Sequence, residues 1–148
     1  VGGRALGALR IEKGYGSWGR EYSPEYWPQE AGLHGLIKLD KDFLNKEAYL
    51  KISNTPPRES LTMFEVDVAD NADANGGEPI FLSDGTPVGR VTSGSYGYTV
   101  GKSLAIGYAR EGVVCAGDRV EIFILGKPHA ATVLDKPPFD AGGERLRA

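Results

Sequence analysis

The sequence has few of the residues from which metal centres, disulfides and redox sites are built. One cysteine and two histidines in 148 residues allow no internal disulfide and no zinc or iron–sulfur cluster. Cys115 lies beside Val113 and Val114, which favours a buried or inert thiol over a nucleophile. We therefore expect no metal site, and a reducing compartment: the cytoplasm, or the mitochondrial matrix if the source is a eukaryote.

The sequence also lacks a long apolar run and an excess of positive charge. No stretch approaches the roughly 20 apolar residues that a membrane span needs, and lysine and arginine are scattered along a chain of formal net charge -3. These absences argue against a membrane protein and against a basic groove for nucleic acid. Val1 stands where a start methionine would stand, which suggests a fragment or a processed chain.

No pairing of a nucleophile with a base is visible in the sequence. His34 and His129 both stand outside any recognisable triad or nucleophile-elbow motif, so neither is expected to take part in catalysis. The residues alone therefore predict no catalytic side chain.

Residues 85–103 are rich in glycine and end in Gly101-Lys102-Ser103, which resembles the end of a phosphate-binding loop. Such a loop needs another glycine five positions before Gly101, and Tyr96 stands there. The residues that follow are typical of a strand, whereas a phosphate-binding loop opens a helix. We interpret the stretch as a hairpin and a crossing strand, without an ATP site.

The hydrophobic pattern changes along the chain from helical to strand-like. Apolar spacings of three and four predict a helix over residues 4–12, which Gly14 ends, and a second helix over residues 42–54 with Asp42 as its N-cap. Short segments separated by turns then predict six strands, which favours a mainly β fold with short helices, as a barrel or jelly roll. The predicted strands cover residues 60–68, 79–82, 88–93, 104–109, 119–125 and 130–134.

Glu12 occupies the last turn of the first predicted helix, where the negative end of the helix dipole disfavours a carboxylate. It is either exposed or paired with Lys13, or it is held to accept N–H bonds from a ligand.

A loop dense in aromatic residues follows, and rings of this size need a surface to bury against. In a fragment, some of that surface belongs to a missing partner domain. The rings are those of Tyr15, Trp18, Tyr22, Tyr26 and Trp27.

Six short motifs occur in order along the chain. They are Leu9-Arg10-Ile11-Glu12-Lys13-Gly14-Tyr15, Trp18-Gly19-Arg20-Glu21, Pro28-Gln29-Glu30-Ala31-Gly32-Leu33, Asp42-Phe43, Gly77-Glu78-Pro79-Ile80 and Gly89-Arg90-Val91-Thr92-Ser93-Gly94. Together they resemble the C-terminal part of the glycine cleavage T-protein family, the tetrahydrofolate-dependent aminomethyltransferases. The Glu-Lys-Gly-Tyr variant and the Gly-Tyr-Thr-Val-Gly-Lys run are most similar to the folate-binding portion of dimethylglycine and sarcosine dehydrogenases.

The resemblance implies that residues 1–41 end a folate-binding domain and that residues 42–148 form the family's C-terminal six-stranded β-barrel. It implies folate-binding roles for Glu12, Tyr15 and Lys41, with both carboxylate oxygens of Glu12 matched to pterin N–H donors. Lys41 stands where T-proteins carry arginine, and a lysine cannot make the bidentate contact of an arginine. The family's catalytic aspartate lies upstream, so the resemblance implies no catalytic residue here.

The implied parent enzyme passes a one-carbon unit from a methylated or aminomethyl donor to tetrahydrofolate, and an FAD domain upstream would make it a dehydrogenase. Its partners would be folate, the donor and an upstream domain of the same protein. The absence of cysteine from residues 41–47 separates the chain from the branch linked to iron–sulfur maintenance. The alternative, from another class, is a non-catalytic docking or scaffold barrel that closes one side of a cleft or binds a partner protein.

Overall fold

The computed structural model of the chain describes residues 2–68 and 72–148, so that Val1 lies outside the described part. Both predicted helices and all six predicted strands are present. In chain order the elements are α1 (Gly3–Glu12), a 3-10 turn (His34–Leu36), α2 (Lys46–Ser53), β1 (Glu59–Val66), β2 (Pro79–Phe81), β3 (Pro87–Gly97), β4 (Lys102–Arg110), β5 (Arg119–Ile124), β6 (Lys127–Leu134) and α3 (Glu144–Arg147).

The six strands form one closed antiparallel barrel in the order β1-β4-β3-β2-β5-β6. The strand β1 lies between β4, where Met63 pairs with Ile106, and β6, where Met63 pairs with Leu134. The predicted mainly β class with a six-stranded barrel is therefore confirmed.

The strand β4 is buried on both faces, and its two faces belong to different clusters. Ala105 and Ala109 belong to the apolar cluster that also holds Phe64, while Leu104 and Ile106 pack with Ile11 of α1 in a second cluster. Because successive side chains of a strand point to opposite faces, the first cluster fills the barrel and the second joins α1 to its outer surface.

The second helix begins later than predicted. Asn45, and not Asp42, is the N-cap residue of α2, and its φ of 65° places it in the left-handed region. The N–H of Lys46 donates to the carbonyl of Phe43 at 3.2 Å, so residues 42–45 form a turn instead of a first helical turn. Leu44 in this turn is 90% exposed, and none of the residues of α2 is buried.

The hairpin predicted over residues 85–103 is confirmed. The strand β3 continues past Ser93 to Gly97, and β4 begins at Lys102. The N–H of Gly101 closes the turn between them on the carbonyl of Gly97 at 2.7 Å. Lys102 lies on a strand, where its Nζ donates to Glu65 at 2.6 and 2.7 Å.

Cys115 is exposed, so of the two predicted alternatives, a buried or an inert thiol, the buried one is wrong. Val113 and Val114 do pack against the barrel core. The chain then turns: the N–H of Cys115 donates to Asp118 Oδ2 at 2.8 Å, and its carbonyl accepts from the N–H of Asp118 at 3.0 Å. The turn leaves the thiol at the surface.

Candidate ligand-recognition site

Glu12 lies at the C-terminal end of α1, against the turn that joins β3 to β4. Its side chain is buried, with 1% of the residue exposed. Oε1 accepts hydrogen bonds from the N–H of Thr99 at 2.6 Å and of Val100 at 3.3 Å. Oε2 is buried and has no hydrogen-bond partner among the described residues. Glu12 is therefore neither exposed nor fully paired.

Lys13 does not pair with Glu12. Its Nζ lies 3.0 Å from Asp140 Oδ2, in a pair whose side chains are 14% and 10% exposed, and it also donates to the carbonyl of Asp140. The hydrogen bond from Lys13 lowers the pKa of Asp140. The N–H of Phe139 donates to the carbonyl of Glu12 at 3.2 Å. The segment after β6 therefore covers the end of α1.

Gly97 allows the side chain of Glu12 to approach the barrel. A Cβ atom at position 97 would lie 3.0 Å from both Cγ and Oε1 of Glu12, and 2.9 Å from Cγ2 of Val100. Such distances require the neighbouring side chains to shift. Glycine at this position therefore leaves the space that the buried carboxylate occupies.

Tyr15 and Lys41, the other two residues assigned to folate by resemblance, lie in different surroundings. Tyr15 is 49% exposed and follows Glu12 closely, with Lys13 Nζ 5.9 Å from its ring centroid. Lys41 is exposed and lies before α2, where its carbonyl accepts a bond from Lys46 Nζ at 2.9 Å. The described contacts group Tyr15 with the end of α1 and place Lys41 in a separate segment.

Glu21 is a second buried glutamate beside α1, and both of its oxygens are paired. Oε2 accepts from Arg10 at 2.9 Å and from the N–H of Ser17 at 2.8 Å. Oε1 accepts from the hydroxyls of Thr92 at 2.5 Å and Ser93 at 2.6 Å. Burial acts to raise the pKa of Glu21, but these hydrogen bonds and the charge of Arg10 outweigh it, and the pKa is lowered.

Glu30 is a third buried glutamate, and it joins the aromatic loop to β1. Its Oε1 accepts from Nε of Arg58 at 2.8 Å and its Oε2 from a terminal nitrogen of the same guanidinium at 2.8 Å. The N–H of Trp27 donates to Oε2 at 2.8 Å. The side-chain hydrogen bonds from Arg58 are the main reason that the pKa of Glu30 falls to about 2, against the opposing effect of burial.

The residues that hold these carboxylates could not be recognised as such from the sequence. The turn residues Thr99 and Val100 act through their main-chain N–H groups, and any residue except proline supplies such a group. The only available signal was Gly97, which stands in the Gly-Tyr-Thr-Val-Gly-Lys run. Glycine inside a strand often marks close approach of another group, and that reading would have pointed to this position.

Within residues 2–68 and 72–148, no group of three or more histidine, cysteine, aspartate or glutamate side chains is arranged to hold a metal ion. No helix in the same ranges has the length and apolar character to cross a membrane.

A model of the glycine cleavage T-protein C-terminal barrel domain matches residues 60–140. The chain belongs to this family. The residues that match this T-protein barrel domain include all of the strands from β2 to β6 and nearly all of β1. Gly97, Thr99 and Val100 therefore lie within the T-protein barrel, whereas Glu12 lies before it.

Relatives of this T-protein barrel domain include longer proteins. The chain is 39% identical over 135 residues to mouse dimethylglycine dehydrogenase, a match that covers 90% of the chain and 15% of that protein. It is 34% identical over 144 residues to the aminomethyltransferase of Thermotoga neapolitana, covering 97% of the chain and 38% of that protein. The chain thus spans well under half of the length of these relatives.

A solved structure shares the fold. The glycine cleavage system aminomethyltransferase T from Bartonella henselae superposes with a TM-score of 0.81 at 24% sequence identity, covering 93% of this chain and 38% of that one. The agreement extends the T-protein architecture to nearly the whole chain, including most of the segment before the barrel.

Proposed function

We propose that the chain is the C-terminal part of a tetrahydrofolate-dependent enzyme that transfers a one-carbon unit from a methylated or aminomethyl donor to tetrahydrofolate. The family and the relatives named dimethylglycine dehydrogenase and aminomethyltransferase support this proposal. In it, residues 1–41 end the folate-binding domain and residues 42–148 form the barrel domain. In this proposal, the enzyme lowers the activation barrier mainly by holding the donor and the folate acceptor next to each other in the reactive orientation.

The observation that carries the proposal is the free oxygen of Glu12. A buried carboxylate oxygen without a hydrogen bond is costly, so a ligand that donates N–H bonds to Oε2 would be bound favourably. The pterin ring of tetrahydrofolate carries such N–H donors on one edge. Because Oε1 is occupied by Thr99 and Val100, the pterin contact is proposed at Oε2 alone.

Tyr15 and Lys41 have smaller roles in this proposal. Tyr15 follows Glu12 by three residues and offers a half-exposed ring, which is suited to packing against a flat pterin or its linker. Lys41 offers an exposed ammonium group for the carboxylates of the folate tail. Its flexible single charge suits a mobile tail better than a fixed bidentate contact.

The proposal places the catalytic group and the donor site in a part of the protein upstream of this chain. Apolar side chains on the exposed face of α1 and in the loop after it support an upstream neighbour: Leu6 is 64%, Leu9 52% and Trp18 88% exposed. Exposed apolar residues close together often mark an interface. An FAD domain in that upstream part would make the parent enzyme a demethylating dehydrogenase.

Substitution of Glu12 by glutamine in the full-length protein tests the proposal. The amide oxygen can still accept from Thr99 and Val100, but an NH₂ group replaces Oε2 and meets the N–H donors of the pterin. We expect Glu12→Gln to weaken binding of 5-formyltetrahydrofolate about 10- to 100-fold by titration calorimetry, the usual cost of a hydrogen bond to a charged group. Glu25→Gln, at a side chain that is 74% exposed, is the matched control.

A second candidate function is a docking or scaffold domain without a role in folate recognition. The exposed apolar side chains around α2 favour it, since Leu36 is 76% and Leu44 90% exposed. In that case Glu12→Gln leaves the affinity for 5-formyltetrahydrofolate unchanged, and Glu12 serves to join α1 to the barrel. Unchanged affinity would therefore reject the ligand role of Glu12 and favour the scaffold.

A further inference from the structure

We propose that the turn between β3 and β4 of the barrel positions Glu12 for ligand recognition, with Gly97 as a positioning residue. This inference rests on the proposed function, because it assigns a task to the carboxylate on which that function depends. It gives the barrel domain a part in recognition. The barrel contributes two main-chain N–H groups and, at Gly97, the space that a side chain would otherwise fill.

The turn fixes one carboxylate oxygen and leaves the other buried without a hydrogen-bond partner among the described residues. A carboxylate oxygen has two lone pairs, and the N–H groups of Thr99 and Val100 use both lone pairs of Oε1. Oε2 keeps its full capacity as an acceptor, with no partner among the described residues. The turn therefore determines which oxygen a ligand meets.

Both ends of this arrangement are held in place. On the barrel side, Gly101 N–H bonds to the carbonyl of Gly97 at 2.7 Å, and Gly97 pairs with Lys102 across the hairpin. On the helix side, Ile11 packs with Leu104 and Ile106 of β4. Because neither the turn nor the end of α1 is free to move alone, the side chain of Glu12 has one position relative to the barrel.

Gly97 is the point at which this position can be disturbed with least change elsewhere. The methyl group of an alanine would stand 3.0 Å from Cγ and Oε1 of Glu12, so the carboxylate must move away from the turn. The methyl would also stand 2.9 Å from Cγ2 of Val100, the residue whose N–H bonds to Oε1 of Glu12. Gly97→Ala therefore disturbs Glu12 together with a turn residue that holds it.

A double-mutant cycle in the full-length protein tests the inference, with 5-formyltetrahydrofolate as the probe. We expect Gly97→Ala to weaken binding on the order of tenfold, which is the effect of losing one well-placed hydrogen bond to a charged group. In the Glu12→Gln background the same change should have almost no further effect, since residues that act through one contact are not additive. A general loss of stability would lower the affinity equally in both backgrounds.

Two controls accompany the cycle. Gly35→Ala changes an exposed glycine whose Cβ would meet nothing within 4 Å, and it should leave the affinity at the wild-type value. Glu12→Asp keeps the charge but shortens the side chain, so one carboxylate cannot both reach the turn and present its second oxygen. It should weaken binding about tenfold, and it tests the inference even if Gly97→Ala does not fold.

The outcomes separate the inference from the function on which it rests. If the wild-type protein does not bind the probe, the proposed function fails and the inference fails with it. If Glu12→Gln weakens binding but Gly97→Ala and Glu12→Asp do not, the function stands and the positioning role is rejected. The positioning role is also rejected if the fold-changes in affinity caused by Gly97→Ala and Glu12→Gln multiply in the double variant.

Discussion

Glu12 and Glu21 both lie where α1 meets the barrel, and their oxygens are paired to different extents. Glu21 accepts hydrogen bonds on both oxygens from Arg10, Ser17, Thr92 and Ser93. Glu12 accepts them on one oxygen alone. Burial is almost the same, at 1% exposure for Glu12 and 0% for Glu21. Burial therefore does not distinguish the two carboxylates, whereas the number of unused lone pairs does.

The largest expected effect is a difference between the glutamine variants of these two residues. Glu21→Gln places an NH₂ group against the donors of Arg10 and Ser17 and removes the charge that pairs with Arg10. We expect it to lower the free energy of unfolding by about 3–5 kcal/mol, as for other broken buried pairs. Glu12→Gln keeps the acceptor for the turn and should cost less than about 1 kcal/mol. Urea denaturation of the 148-residue chain measures both.

The comparison between the two sites fails if the two variants are equally destabilised. A large loss for Glu12→Gln would mean that Oε2 is paired in solution, and Glu12 would then be structural like Glu21. Glu21→Asp is a useful additional variant, because it keeps the charge and tests the fit of the cluster.

The pH dependence of stability extends the comparison to Glu30. Its pKa is lowered from 4.5 to about 2 by the hydrogen bonds from Arg58. A lowered pKa means that the folded state favours the ionised form, so the stabilisation is complete above pH 4.5 and is lost as the pH falls towards 2. The difference in unfolding free energy between the wild type and Glu30→Gln should therefore shrink over that window. Denaturation curves recorded at several pH values check it, and a constant difference would contradict the assignment.

The smallest effect is expected at an ion pair outside the buried clusters. Lys102 and Glu65 lie 2.6 Å apart, but their side chains are 48% and 27% exposed. Lys102→Ala should change the free energy of unfolding by about 0–1 kcal/mol, the usual range for surface pairs. Neither the wild type nor the variant is expected to bind ATP, and saturable binding that Lys102→Ala abolishes would restore the phosphate-loop interpretation of residues 85–103.

The strands could be predicted from the sequence because each carries its own pattern of apolar residues. The end of β3 could not, since Gly94 and Gly97 are typical of a break. In the structure a Cβ on Gly94 would stand 2.3 Å from the carbonyl oxygen of Ala74, so close packing explains the glycine. The start of α2 was predicted too early because Asp42 is a favourable N-cap residue. Asn45 is an equally favourable type and tolerates the left-handed region, so the sequence offered two starts and the earlier one was chosen.

The candidate site was predictable only in part. The unfavourable position of Glu12 in its helix showed that helix stability does not account for it, and the structure places it in a buried contact with the barrel. Its partners are 87 and 88 residues away in the chain, and Glu30 lies 28 residues from Arg58. Contacts over such separations leave no periodic trace in a sequence, so the pairing of the three glutamates required the fold.

Closure of the barrel has a consequence for how the protein recognises others. Each of the six described strands has a hydrogen-bonded neighbour on both sides, so a partner finds no described strand that is open along a whole edge. Side chains and turns outside the strand ladder, such as α2 and the turn at Gly97, are therefore the surfaces we expect recognition to use. In evolutionary terms, we expect α2 to diverge between relatives with different partners, while the strand pairing and the turn at Gly97 are retained.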